Sequence, residues 1–268
     1  MANYMKSEFY RIFHEKTIYL ITLVATALAV LCNVVHYLVL TRAPAFSYGS
    51  VRFVLSILIT GMQIFYIGAL LVVMLLSSDE YKNGVLKNAV AGGISRIQIF
   101  VGKCVVYGTV ATLSASVILI GFISTAYGLL EWNPAAPFES IWPLQVLLTG
   151  AAANLPFSLA TVVLAVALRQ MFQKESLVYM IWTLIICVLP MALLALALVL
   201  RNPLLARAAQ WMPWNYMKTQ VSVSFLNQKM DALWMYPDGC FKCVAAGAAG
   251  ILIFGAAGIL GFRKKDID

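Results

Sequence analysis

Apolar runs long enough to cross a bilayer alternate with short polar breaks along this chain. The runs cover about 17–40, 53–77, 97–129, 142–168, 177–200 and 243–262. At a helical rise of about 1.5 Å per residue, each crosses about 30 Å of hydrocarbon. The pattern therefore predicts an all-α integral membrane protein of six transmembrane helices, folded as one domain. Residues 3–16 differ from these runs. Met5, Phe9, Ile12 and Phe13 share one helical face, while Lys6, Glu8 and Glu15 lie off it. That spacing predicts an N-terminal helix lying in the membrane interface. Pro156 and Pro190 fall inside the fourth and fifth runs. Each removes a helix hydrogen bond and predicts a kink.

The largest polar interruption in the first half runs from Asp79 to Lys103. Tyr81, Val85, Ala89 and Val90 fall near one helical face, and Glu80, Asn83 and Lys87 lie away from it. A Gly92-Gly93 break follows. Ser95 then suits an N-cap, with Gln98 completing a capping box and Ile94 and Ile99 at the positions of a hydrophobic staple. The stretch reads as a short surface helix, a break and a capped transmembrane helix. Such a loop either docks a soluble partner or is a solvated linker, and the residues leave both open.

Composition sharpens the class. Hydrophobic residues make up 62% of the chain and charged residues 11%, with mean hydropathy +0.87. A soluble domain carries about 45–50% apolar and about 25% charged residues, so a soluble globular class is excluded. The net charge of +8 reads as basic membrane flanks rather than a nucleic-acid surface, because no zinc-finger or RNA-binding spacing accompanies it. Twelve of the 19 basic residues fall on the side that holds both termini and the 79–103 stretch. Five of the other seven sit in one long loop, where the rule weighs least, so the termini are expected in the cytosol. The first apolar run is too long, and is preceded by too many acidic and aromatic residues, to read as a cleaved signal.

Several kinds of chemistry are missing. Gly102-Lys103 is the only Gly-Lys pair, and no phosphate-binding loop surrounds it. His14 and His36 are the only histidines, and there is no H-E-x-x-H or G-x-S-x-G. Cys240 and Cys243 form a C-x-x-C without a second ligand pair, which argues against zinc and leaves a disulfide or two free thiols. Ionisable groups are not expected inside the spans, which counts against ion coupling and proton relays. Asn33, His36, Gln63 and Asn154 supply the strong polarity at depth. Each can touch cargo or bond one helix to another. Residues 201–242 hold Trp211, Trp214, Tyr216, Phe225, Trp234, Tyr236 and Phe241. They predict external re-entrant elements or an aromatic belt. Gly247, Gly250, Ala257, Gly258 and Gly261 give the sixth run a small face, suited to a subunit interface or to packing within one chain.

A resemblance enters at the polar stretch. The order Glu80-Tyr81, Gly84, Leu86-Lys87-Asn88, Gly93-Ile94-Ser95-Arg96, Phe100 and Lys103 resembles the coupling-loop region of ABC-2 type permeases. These are membrane subunits of ATP-binding-cassette transporters, and the spacing is most similar to the branch linked to lantibiotic immunity and bacitracin resistance. Lys6-Ser7-Glu8-Phe9-Tyr10-Arg11 resembles that family's entry segment. The motifs cover these two stretches, and the architecture covers the whole chain. Val85 stands where many relatives carry Thr or Ser, and Gly92-Gly93 where some carry proline.

The resemblance implies an ABC-2, type V exporter-like transmembrane domain. It implies coupling to the ATPase through Glu80, Tyr81, Gly84, Val85, Leu86, Lys87 and Val90. The expected partners are two ATPase subunits carrying ATP and Mg, a second or related permease copy, and membrane lipid. This chain would bind no cofactor and would not itself be an enzyme. Asn33, Gln63, Asn154, Trp211 and Trp214 are the candidates for the substrate path. The expected setting is a bacterial plasma membrane. The expected cargo is amphipathic, a peptide antibiotic before a lipid, drug or ion. A non-transporting sensor or scaffold that holds a cytosolic partner is the alternative.

Overall fold

The computed structural model describes residues 2–42, 50–82, 91–130, 141–172, 174–212, 214–215, 221–223 and 230–263. Helices form where the apolar runs predict them. α1 (Ala2–His14) leads into α2 (Lys16–Arg42). α3 (Val51–Thr60), α4 (Ile64–Lys82), α5 (Arg96–Leu129) and α6 (Ile141–Met171) follow. α7 (Glu175–Thr183) passes through a π-helical turn, Leu184–Val188, into α8 (Leu189–Val199). After α9 (Pro203–Gln210), β1 (Val221–Val223) and β2 (Met230–Ala232) pair antiparallel with Ser222 opposite Asp231. α10 (Pro237–Arg263) completes the described chain. Among the described residues, five helices are long and apolar enough to cross a membrane, and six spans result if the bent α3–α4 pair counts as one. This is the architecture of a multi-pass membrane protein.

α6 is the centre of the bundle. Its spanning window is 67% buried, against 11–22% for the other long helices. Residues 161–170 are buried without interruption. α10, α4, α5, α3 and α7 all pack on it. Its sequence explains this, because a helix that is apolar all round and rich in alanine accepts neighbours on every side. The outer helices turn apolar residues outward, among them Leu23 and Leu28 of α2, Ile120 of α5 and Leu252 of α10. In a bilayer these faces meet acyl chains as apolar as themselves.

The small face of α10 is an internal seam. A Cβ on Gly247 would lie 2.8 Å from the Pro156 carbonyl carbon and 2.9 Å from the Phe157 nitrogen. One on Gly258 would lie 2.7 Å from the Ala167 Cβ. These glycines let the α10 and α6 backbones approach closely, so packing within the chain accounts for them. Ala257 is exposed and off the seam.

Three local features go beyond the sequence pattern. The run at 53–77 is not one helix, because α3 and α4 meet at 63°. Gly61 ends α3 and donates to Ile57 O at 2.9 Å, while the N–H groups of Ile64, Phe65 and Tyr66 bond back to Gly61, Met62 and Gln63. The break thus satisfies its own backbone, as apolar surroundings demand. At Pro190 the span stays helical through the π turn Leu184–Val188, and the proline is the second residue of α8. Finally, α10 begins at Pro237, so Cys240 and Cys243 belong to its first turns. Cys240 is exposed and Cys243 is buried, and they form no disulfide with each other.

Both described chain ends lie at one end of the bundle, here called the terminal end. Gly102, near the start of α5, packs against Tyr4 and Met5 of α1. Arg96 Nη1 donates to Phe262 O at 3.1 Å near the end of α10. The start of α5 follows the predicted capping box. Ser95 Oγ accepts from Gln98 N, and Gln98 Oε1 accepts from Ser95 N, both at 3.3 Å. Gly93 precedes it at φ +82°, a conformation glycine adopts without strain.

Candidate functional site

The α3–α4 break organises a neutral polar cluster. Gly61 lets the chain turn, and Gln63 in the break and Tyr66 in the first turn of α4 are then both buried. Tyr66 OH donates to Asn154 Oδ1 of α6 at 2.5 Å. Asn154 Nδ2 donates back to Met62 O at 3.5 Å. Gln63 Nε2 reaches Trp214 O at 3.5 Å. The Tyr66 and Trp214 rings tilt at 52° with centroids 6.4 Å apart. Tyr66, Gln63 and Asn154 are all buried. Beside them lies a cavity of about 110 Å³ between α4, α5 and α6, and no charged residue lines it.

Three of the five substrate-path candidates therefore converge: Gln63, Asn154 and Trp214. Asn33 instead ties α2 to α5, donating to Phe122 O at 2.8 Å and Thr125 Oγ1 at 2.7 Å. Trp211 is an exposed residue at the end of α9. Sequence reasoning missed Tyr66. A signal was present, since Gln63 and Tyr66 stand three apart and share a helix face directly after a glycine. Of the coupling candidates, Glu80 and Tyr81 lie in the last turn of α4. Their side chains, and Gly84, Val85, Leu86, Lys87 and Val90, lie outside the described residues.

A second, charged cluster occupies the terminal end. Glu8, Lys103 and Arg169 are all buried there. Arg11 Nη2 donates to Glu8 Oε2 at 2.7 Å. Arg169 donates from Nε to Ser77 Oγ and from Nη2 to Glu175 Oε1, each at 3.2 Å. Glu8, Arg11 and Arg169 are the charged neighbours of Lys103. Burial, then Glu8, holds the Tyr4 phenol above its usual pKa and so keeps it neutral. Burial opposes the charge of Arg11, but Glu8 and Tyr107 outweigh it and raise its pKa.

Of the charged residues in this cluster only Lys103 falls within an expected span, 97–129, and it corrects the expectation of no ionisable group there. Helix length supplies the reason. The 34 residues of α5 extend roughly 51 Å, about 20 Å more than the hydrocarbon core. Lys103 lies only about 10 Å along that length, and Arg169 is in the last turn of α6. The enclosed charges thus belong to the helix ends, and the middle of the bundle is neutral.

The α1 face also differs from the expected one. Glu8 and Ile12 are buried, whereas Phe13 is 51% exposed. The helix turns a carboxylate, not only apolar side chains, toward the bundle.

The fold and the two clusters define a multi-pass helical membrane protein with a charged terminal end and a neutral interior. No family model, curated protein or solved structure matches the chain.

Proposed function

We propose that this chain is the permease subunit of an ATP-driven transporter of the ABC-2 class. One observation carries the reading. The two stretches that resemble the family lie together at the terminal end: Glu8 and Arg11 of the entry segment are charged neighbours of Lys103, and Tyr4 and Met5, just before that segment, pack on Gly102. Two such subunits, identical or paired with a related one, enclose the pathway. Two ATPase subunits carrying ATP and Mg dock on the 79–95 stretch in the cytosol. ATP binding closes the ATPases, and the stretch transmits the movement to α4 and α5. The path runs by Gln63, Asn154 and Trp214. Its neutrality suits an amphipathic cargo held by apolar contact, with a peptide antibiotic the first candidate.

Val85→Asp tests this. Truncating a buried interface anchor commonly costs about 2 kcal/mol or more, and an unpaired buried carboxylate is costlier still. The variant should insert normally yet lose the ATPase on co-purification and lose cargo-stimulated ATP hydrolysis. Lys87→Ala, at the rim, should keep the ATPase and weaken the stimulation. Full ATPase recovery and full stimulation in Val85→Asp would reduce the stretch to a linker.

A further inference from the structure

We propose that the slot between α4, α5 and α6 holds one alkyl chain of a membrane lipid, inserted sideways from the bilayer. This rests on α5 and α6 crossing the membrane, not on the transport reading. Depth is the first argument. The lining runs from Gly108 to Leu119 on α5 and from Ala151 to Val162 on α6. Both stretches straddle the middle of helices that span Arg96–Leu129 and Ile141–Met171. The second argument is the opening. Ser116 and Leu155 line the slot and are exposed on the outer surface. Their exposed neighbours Leu113, Val117 and Leu148 are apolar. At this depth the medium outside is hydrocarbon.

The walls offer little to water. Thr112 Oγ1 and Ser116 Oγ each donate to their own helix backbone at 2.8 Å, to Gly108 O and Thr112 O. The Asn154 amide is engaged with Tyr66 and Met62. A buried water needs about 2–4 polar partners, and an apolar cavity of about 150 Å³ stays dry and takes benzene. The slot, at about 110 Å³, is of similar size and mostly apolar, with the Ser158 hydroxyl the one polar lining group not accounted for by these bonds. Its shape favours a chain over a single side chain, because eleven helical steps, Gly108 to Leu119, cover about 16 Å. Gly108 marks a close approach of the two helices, since a Cβ there would lie 2.9 Å from Leu159 Cδ2.

The experiment uses the full chain in phosphatidylcholine liposomes carrying a diazirine on one acyl chain. After irradiation, adducts are mapped by mass spectrometry. Ser116, Leu119, Leu155 and Ser158 should label several-fold more than the open face at Leu252 and Ile253. Ala115→Phe should fill the slot and reduce its labelling to the open-face level, leaving Leu252 and Ile253 unchanged. Ser158→Leu serves the same purpose should Ala115→Phe fail to fold. Equal labelling of slot and open face would overturn the proposal, as would unchanged labelling in the filled variant. So would access of a water-soluble nickel reagent to a spin label at Ser116→Cys, which would make the slot aqueous. Cross-linking of two copies through the slot would overturn it in favour of a second chain.

Discussion

Adding one methyl group at successive glycines of α10 should give opposite results within one helix. At Gly247 the new Cβ would meet backbone, the Pro156 carbonyl carbon at 2.8 Å and the Phe157 nitrogen at 2.9 Å. Backbone cannot rotate away, so α10 must move outward. Overpacking of this kind costs about 1–3 kcal/mol. Alanine returns about 1 kcal/mol of helix propensity over glycine. Gly247→Ala should therefore range from neutral to about 2 kcal/mol destabilising. At Gly255 the new Cβ would find only Val163 Cγ1 at 3.9 Å, an ordinary contact. Gly255→Ala should stabilise by about 1 kcal/mol, since propensity is unopposed. At Gly261 the neighbour is the flexible Met171 side chain, which can yield, so that variant should fall between the two. The assay is the midpoint of detergent-driven unfolding in mixed micelles, read for all three variants. If Gly247→Ala proves as stable as Gly255→Ala, the seam is looser than described and the close approach of α10 to α6 is wrong.

Three other outcomes follow from the same geometry. Tyr66→Phe removes the bond to Asn154 and should cost about 0.6–1.7 kcal/mol in the same assay, the range for polar contacts between membrane helices; no change would mean that Asn154 is held by other groups. Asn33→Ala should loosen α2 from α5 by a similar amount and leave cargo-stimulated ATP hydrolysis intact, whereas Asn154→Ala should alter both; equal loss of stimulation in the two variants would return Asn33 to the path. A membrane-impermeant maleimide should label Cys240 and spare Cys243, because only the first is exposed; equal labelling would show that the first turns of α10 open.

The spans were legible because their signal is length, and about 20 apolar residues in a row have few other readings. The break at Gly61 was not. Glycine is common in membrane helices, so Thr60-Gly61-Met62-Gln63 inside an apolar run carries no mark of a 63° turn. Its stability comes from distant groups, since Asn154 holds Met62 O and the Trp214 carbonyl meets Gln63. The site was legible only residue by residue. Gln63, Asn154 and Trp214 stood out as polar or aromatic, yet their meeting depends on the unread break. Asn33 stood out for the same reason and proved to be a helix tie. Polarity at depth marks a residue that needs a partner, and it does not say whether the partner is a helix or a cargo.

Charge was legible as a side and not as a place. Counting Lys and Arg put Lys103 and Arg169 at the end that holds both termini, and the fold puts them there. Counting could not show that both are enclosed, or that Glu8 of α1 is enclosed with them. Glu8 keeps its own-helix partner Arg11 wherever α1 goes, so lifting α1 from the bundle would leave Lys103 without its acidic neighbour and beside Arg169. α1 is held to the first turns of α5 by Tyr4 and Met5 against Gly102 and by Glu8 beside Lys103. Any force that reaches the start of α5 from the 79–95 stretch is thus delivered to α1 as well, and the two should move as one body.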